Sequence, residues 1–183
     1  MSKVLLIADM QEGLFSLARD FDHSTYRTAM FAHASPGQAF RLPVIMTTSF
    51  VATYPDAPLI RREGEVGAWD NEEFPDAVVK ANRSQVILAR ITYDGCTTFL
   101  ALSLRAAGYS VWANHEASGT TTQYLRDMAN ERMRAAGVQV VSYFAIELFP
   151  VLDEYLPIYG MVARGHRAAV RNGTVLPGED VLP

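Results

Sequence analysis

Residues 85–113 read QVILARITYDGCTTFLALSLRAAGYSVWA, and this stretch decides the fold. Residues 85–89 form a short apolar run with β-branched side chains, which is typical of a strand buried on both faces, and we predict this strand over residues 84–90. The apolar segment 96–107 predicts a helix that ends at Gly108, and residues 109–113 predict the next strand. A strand, a helix and a second strand in this order form a right-handed crossover, so the two strands are parallel.

The same alternation extends along the chain. Apolar runs predict further strands at residues 4–8, 43–48 and 138–141. Helical patterns occupy residues 25–40, 72–81 (with Asn71 as N-cap), 121–136, 144–155 and 157–165, and Pro36-Gly37 is expected to interrupt or kink the first of them. The predicted fold class is α/β, a three-layer α/β/α sandwich with a mostly parallel sheet of five to six strands. We expect one domain over residues 1–170 and an extended C-terminal tail over residues 171–183.

Composition excludes several classes of function. The 183 residues are 49% apolar and 20% charged, which indicates a folded globular chain. A formal net charge of −4 gives no electrostatic reason to expect nucleic acid. No apolar run is long enough to span a bilayer, and no signal peptide is visible. The single cysteine excludes an internal disulfide, which fits a cytoplasmic location.

That single cysteine, Cys96, stands at a position suited to a nucleophile. It follows a predicted strand and precedes a helix, and ligands of open α/β sheets bind at the carboxyl ends of the strands. A helix N-terminus also stabilises a thiolate. The alternative is a small buried apolar residue, since free cysteine is often fully buried.

Other chemically useful residues end the neighbouring strands. Asp9 follows the first strand, and a carboxylate near a thiol can act as a general base. Ser49 and Phe50 follow the second strand. The long irregular connection over residues 50–72 offers Arg61 and Arg62 as cations. The alternatives are a capping or turn role for the aspartate and solvated surface charges for the arginines.

Two kinds of cofactor site find no support in the sequence. The four histidines are scattered without metal-ligand spacing, so we expect no metal and interpret them as structural or surface residues. The segment DMQEG (9–13) lacks the glycine pattern of a phosphate-binding loop, which argues against a dinucleotide enzyme and against a flavodoxin-like nucleotide or flavin binder.

Several segments resemble the isochorismatase-like cysteine hydrolases. LLIADMQ (5–11) is similar to the family's opening strand, and CTTFLA (96–101), with GY (108–109) and EASGT (116–120), is similar to its nucleophile helix and next strand. LFSLARD (14–20), PVIMTTSF (43–50) and AWDNEEF (68–74) resemble the YcaC-type branch. The resemblance covers most of the chain, and the AWDN block is its more specific part.

The resemblance implies a set of catalytic residues. Asp9 would be the general base and Cys96 the nucleophile. Arg62 would be the basic residue, with Arg61 as the reserve, because this branch carries that residue before the AWDN block, whereas Lys80 follows it. The backbone N–H groups of Thr92 and Cys96 would form the oxyanion hole. The family also has a cis peptide, which here would join residues 91 and 92.

The resemblance further implies hydrolysis of a small amide or related C–N substrate, without metal or organic cofactor, by a homo-oligomer that is an octamer in the type case. Aromatic residues near the strand ends would either wall a small apolar pocket or anchor loops in the core. These residues are Phe15, Phe50, Trp69 and Tyr93.

The chain departs from the family pattern at several positions. Arg90 stands where a glycine is usual, and the following loop, ITYDG (91–95), is unusual. Glu116 replaces an aspartate, and Pro36 falls within a helix. These departures favour an alternative, namely a catalytically impaired family member that acts as an oligomeric binding or scaffold protein.

Overall fold

A parallel five-stranded sheet organises the part of the chain that the structure, a computed structural model, describes, namely residues 3–10, 12–47, 52–61 and 65–148. The strands are β1 (Lys3–Ala8), β2 (Val44–Met46), β3 (Gln85–Arg90), β4 (Ser110–Asn114) and β5 (Gln139–Val141). They lie in the order β2-β1-β3-β4-β5, and each neighbouring pair is parallel. The predicted α/β fold class is therefore confirmed.

Helices connect the strands. They are α1 (Glu12–Phe15), α2 (His23–Ala39), α3 (Glu73–Lys80), α4 (Thr98–Ala106), α5 (Gln123–Ala135) and α6 (Tyr143–Leu148). A 3₁₀ turn spans Ala68–Asp70, and a π-helical turn spans Tyr93–Thr97. The predicted helix 96–107 is thus two elements, a π-helical turn followed by α4. None of the helices in the described ranges is long and apolar enough to cross a membrane.

The described residues up to Ile146 form the first compact unit, and a second unit begins at Glu147. All five strands belong to the first unit. The predicted helix 157–165 and the predicted boundary between residues 170 and 171 lie outside the described residues.

Both faces of the sheet are buried, which explains the continuous apolar runs of β1 and β3. Leu6 and Leu88 point to one face, where they join a core with side chains of α3, α4 and α5. Leu5 and Ile7 point to the other face, where the core includes side chains of α2 and α6. The alternation follows from the two-residue period of a strand. The sheet is therefore the middle layer of an α/β/α sandwich.

Helix α2 runs through Pro36, so the predicted interruption is wrong. Proline lacks an N–H and leaves the carbonyl of residue i−4 without its helical donor. Here the Ser35 hydroxyl donates to the Ala32 carbonyl at 2.8 Å, which supplies a donor at that oxygen. Since Pro36 also stands in the last turn, the helix ends soon after it.

Strand β1 lies between β2 and β3, although β2 follows it in the chain. The chain runs from β1 to β2 on one side and from β3 to β4 on the other, which opens a crevice outside the carboxyl ends of β1 and β3. Ala8 is in register with Arg90 across this pair. The residues that follow Ala8 and Arg90 therefore lie at the mouth of the crevice.

Candidate active site

Asp9 follows β1 directly and is only 4% exposed. Its φ of 52° lies in the left-handed region, which aspartate tolerates better than most residues. The Asp9 amide donates to the Thr47 hydroxyl at 3.1 Å, and that hydroxyl donates to Asp9 Oδ1 at 2.9 Å. Thr47, just after β2, thus fixes one oxygen of the carboxylate that sequence reasoning selected as the base.

Arg90 binds the other oxygen. Its Nε donates to Asp9 Oδ2 at 2.5 Å, and its Nη2 lies 2.5 Å from the same oxygen. The Nη2 group also donates to the Val66 carbonyl at 3.2 Å. The Arg90 side chain is completely buried. The residue that the sequence marked as a departure therefore forms a buried ion pair with the candidate base.

Cys96 lies in the π-helical turn that joins β3 to α4, and it is partly exposed. Thr92, before this turn, has a φ of 56° and reverses the chain. The Thr97 amide donates to the Thr92 carbonyl at 3.1 Å, which makes it the first amide of the i→i−5 pattern. The Cys96 amide precedes that bond, at a helix end where amides lack partners within the helix.

Two threonine hydroxyls secure this turn. Thr97 Oγ1 donates to the Arg90 carbonyl at 2.8 Å, and Thr98 Oγ1 donates to the Tyr93 carbonyl at 2.7 Å. The expected cis peptide between Ile91 and Thr92 is wrong, because no peptide bond among the described residues is cis. The left-handed backbone of Thr92 makes the reversal instead.

A buried network underneath holds the turn, and we name it the Arg126 clamp. Arg126 of α5 pairs with Asp20 at 2.5 Å, and both side chains are almost fully buried. Its guanidinium lies between two rings, 4.1 Å from the centre of Phe21 and 4.9 Å from that of Tyr93. It also donates to the Ser118 carbonyl at 2.7 Å.

The clamp extends to the nucleophile turn through Thr120. Asp20 Oδ1 accepts the Thr120 amide at 3.0 Å, and the Thr120 hydroxyl donates to the Asp94 carboxylate. The Tyr93 amide donates to the Gly119 carbonyl at 3.0 Å. Sequence reasoning missed this network, since its central ion pair joins residues 106 positions apart.

The predicted pocket aromatics have different surroundings. Tyr93 is fully buried, and its hydroxyl donates to Asn130 Oδ1 at 2.8 Å. Burial raises the pKa of Tyr93, so this hydroxyl stays protonated. Trp69 packs edge-on against Tyr109, with ring centres 6.3 Å apart. Phe15 packs against the Tyr26 ring of α2. These contacts anchor loops, and a pocket role for the three rings stays a prediction.

The other predicted residues are either outside the described ranges or exposed. Arg62 and Phe50 lie outside the described residues, as does Ser49. Arg61 is exposed, and its carbonyl accepts the Asn71 side-chain amide at 3.4 Å. Lys80 is exposed at the end of α3.

An open groove of about 830 Å³ lies elsewhere, beside the amino end of β2. It is lined by residues 42–45, 53–58 and part of α3, including Lys80. Neither Asp9 nor Cys96 lines it. The chemistry of the crevice, rather than the size of this groove, therefore marks the candidate site.

No three His, Cys, Asp or Glu side chains cluster as metal ligands within the described ranges. His33 is buried in the core, and burial lowers its pKa to about 4. His115 is partly buried, and burial lowers its pKa as well. Both environments favour neutral imidazoles with structural contacts.

Comparison with known proteins places this chain in a family. Residues 48–143, just over half of the chain, match the isochorismatase domain. The chain belongs to the isochorismatase family. The probable hydrolase YcaC of Escherichia coli (strain K12) is 35% identical over 154 residues, which cover 78% of this chain and 74% of YcaC. The chain is therefore a YcaC-related, isochorismatase-like hydrolase, as the sequence motifs predicted.

Solved structures of isochorismatase-like proteins share the fold. YcaC from Pseudomonas aeruginosa, with hexane-2,5-diol and covalent acrylamide, superposes with a TM-score of 0.77 at 34% identity over 90% of this chain and 94% of its own. The YcaC gene product of E. coli, an octameric hydrolase of unknown specificity, has a TM-score of 0.81 at 29% identity over 91% and 94%. A Staphylococcus aureus nicotinamidase, at 12% identity and a TM-score of 0.66 over 76% and 99%, shares the fold alone.

Proposed function

We propose that this hydrolase cleaves a small amide or a related C–N bond, with Cys96 as nucleophile and Asp9 as general base. Arg62 would stabilise the two reacting groups as a cation, and the amides of Thr92 and Cys96 would bind the oxyanion. The proposed mechanism uses no metal and no organic cofactor. We further propose a cytoplasmic location and a catalytic domain that extends to residue 170.

The proposed chemistry runs through an acyl-enzyme. Asp9 takes the thiol proton while the Cys96 sulfur bonds to the carbonyl carbon, and the carbonyl electron pair moves onto oxygen. The C–N bond then breaks, and the amine leaves with the proton that Asp9 holds. Water adds to the resulting thioester, the C–S bond breaks, and the carboxylic acid leaves as Cys96 regains its proton.

The observation that carries the proposal is the position of the two groups. Asp9 follows β1, and the turn with Cys96 follows β3, at the same end of two neighbouring parallel strands. Asp9 is buried and bonded at both oxygens, so its carboxylate is oriented before substrate binds. Preorganised groups of this kind supply much of the rate enhancement of enzymes.

One relative supports a nucleophile that reacts with small electrophiles. The P. aeruginosa YcaC structure contains covalent acrylamide, which is a small amide and an electrophile. Because this relative is 34% identical over 90% of the chain, we infer that this chain also carries a nucleophile that reacts with compact electrophiles.

One observation favours the second candidate, a catalytically impaired binding or scaffold protein. The Arg90 guanidinium occupies one oxygen of Asp9 in a buried ion pair, where the family pattern has a glycine. An oxygen engaged in such a pair is not available to contact the thiol. Turnover measurements separate the two candidates.

The test compares the wild-type enzyme with Cys96→Ala and Cys96→Ser on acetamide, propionamide, benzamide and nicotinamide, with ammonia release as the readout. We expect turnover of at least one amide by the wild-type enzyme and none above background by either variant. Equal turnover by wild type and Cys96→Ala would refute the mechanism. No turnover, together with iodoacetamide alkylation of Cys96 at the rate of an unperturbed thiol, would favour the scaffold function.

A further inference from the structure

We propose that Arg90 is a positioning residue, which holds the base Asp9 and ties it to the turn that carries the nucleophile. This inference rests on the proposed hydrolase function. In this inference the cation that pairs with the base is Arg90, at the end of strand β3. The resemblance had instead assigned the catalytic cation to Arg62, on the long connection after β2.

The geometry of the pair restricts the carboxylate. Two nitrogens of Arg90, Nε and Nη2, each lie 2.5 Å from Asp9 Oδ2. Thr47 follows β2, on the other side of β1, and its hydroxyl donates to Asp9 Oδ1 at 2.9 Å. Contacts at both oxygens fix the rotation of the carboxylate, so its direction is set by β2 and β3 together.

The same arginine also contacts the nucleophile turn through its backbone. Its carbonyl accepts the Thr97 hydroxyl at 2.8 Å, one residue beyond Cys96. Its amide donates to the Ser118 hydroxyl at 3.1 Å. The side chain of Arg90 therefore contacts the base, and its main chain contacts the residue next to the nucleophile.

Burial makes the pair interdependent. The Arg90 side chain is 0% exposed and that of Asp9 is 5% exposed. A charged side chain in such a place needs an opposite charge and hydrogen bonds. Because the Arg90 side chain is enclosed, it does not meet a substrate that enters from solvent. A change at Arg90 should therefore act on kcat through Asp9, with little effect on KM.

The experiment uses chemical rescue of Arg90→Ala on the amide of the panel above that the wild-type enzyme turns over fastest. We expect kcat to fall about 100-fold, because the base is no longer held in place, with KM within a few-fold of the wild-type value. Guanidinium chloride at about 50 mM, far below denaturing concentrations, should raise the kcat of Arg90→Ala at least tenfold. Urea, a neutral molecule of similar shape, and KCl at the same ionic strength should restore nothing.

Arg105→Met is the matched control. Arg105 also holds backbone carbonyls, those of Ala136 at 3.3 Å and Tyr109 at 2.7 Å, but it lies at the end of α4 away from Cys96. The kcat of Arg105→Met should stay near the wild-type value and should not respond to guanidinium.

Arg90→Lys covers the case in which Arg90→Ala fails to fold. Lysine keeps the charge but loses the two-nitrogen contact, so we expect kcat at least tenfold below wild type in a folded protein. The proposal is overturned if Arg90→Ala or Arg90→Lys keeps the wild-type kcat, or if urea rescues as well as guanidinium. Cys96→Ala separates the two proposals, because full activity of that variant refutes the hydrolase mechanism whatever Arg90 does.

Discussion

At the scale of single residues, His33 shows how burial suppresses a charge. The ring Nε2 lies 3.0 Å from the Leu6 carbonyl of β1, and Nδ1 lies 3.4 Å from the Asn114 side-chain amide. These contacts fit a neutral ring that donates from Nε2 and accepts at Nδ1, a tautomer assigned from the bonding pattern. Burial lowers the pKa of His33 to about 4, because desolvation disfavours the charged ring.

This environment makes stability depend on pH. The pKa of His33 is about 4 in the folded protein and about 6.5 in the unfolded chain, so the unfolded chain binds more protons between these values. The free energy of unfolding should therefore fall as the pH drops from 7 to 4, by about 3 kcal/mol from this group. Urea denaturation at several pH values measures the effect.

His33→Gln is the control for this prediction. Glutamine can donate to the Leu6 carbonyl but does not titrate. The stability difference between the wild type and this variant should shift by about 3 kcal/mol in favour of the variant between pH 7 and pH 4. A difference that stays constant over this range would contradict the assignment.

At the scale of elements, the Arg126 clamp joins three connecting segments to helix α5. Asp20 follows α1, Ser118 and Thr120 follow β4, and Asp94 belongs to the nucleophile turn. Loops carry the functional groups of α/β enzymes but have few contacts of their own. We infer that the clamp supplies the rigidity that the turn with Cys96 needs.

Loss of the clamp should destabilise the fold strongly. Arg126→Met leaves the buried Asp20 carboxylate without its cation, which costs about 3–5 kcal/mol in comparable buried pairs. Asp20→Asn combined with Arg126→Met should recover part of this loss, since no charge then stays unpaired. Chemical denaturation of the single and double variants measures both effects.

The same substitution at Arg134 is a matched control. Arg134 lies on α5 as well but is exposed, so Arg134→Met should change stability by no more than about 0.5 kcal/mol. Similar losses at Arg126 and Arg134 would show that the clamp contributes no more than a surface charge.

At the scale of the whole molecule, large apolar side chains are left exposed in the single chain. Tyr124 is 71% exposed, Val79 63%, Val66 62% and Phe31 60%. Scattered exposed apolar residues are common on monomers, but they also occur where subunits meet. The E. coli YcaC structure is octameric.

We expect the exposed apolar side chains to form contacts between copies of this chain, which would then assemble as a homo-oligomer. Sedimentation equilibrium over a hundredfold range of protein concentration measures the mass of the assembly. Cys96→Ala should assemble like the wild type, because the substitution removes only a sulfur atom. A monomer at every concentration would contradict the expectation.

The order of helices and strands was predictable because local patterns encode it. Continuous apolar runs marked β1 and β3, and Asn71, predicted as the N-cap of α3, accepts the amides of residues 73 and 74. Cys96 and Asp9 were selected because strand ends in a parallel sheet share one edge. The exception was Pro36, whose missing helical donor is replaced by a neighbouring serine, a contact that proline statistics do not contain.

The sequence by itself determined the fold class, the family and the two reacting groups of the proposed mechanism, since these follow from periodicity, strand ends and short motifs. Only the tertiary structure decided the partners of the buried charges. Arg90 meets Asp9 across 81 residues, and Arg126 meets Asp20 across 106. Such pairs depend on which strands are neighbours and in which register. For this reason the sequence alone presented Arg90 as a departure from the family pattern. Its pairing with Asp9 is visible only in the folded sheet.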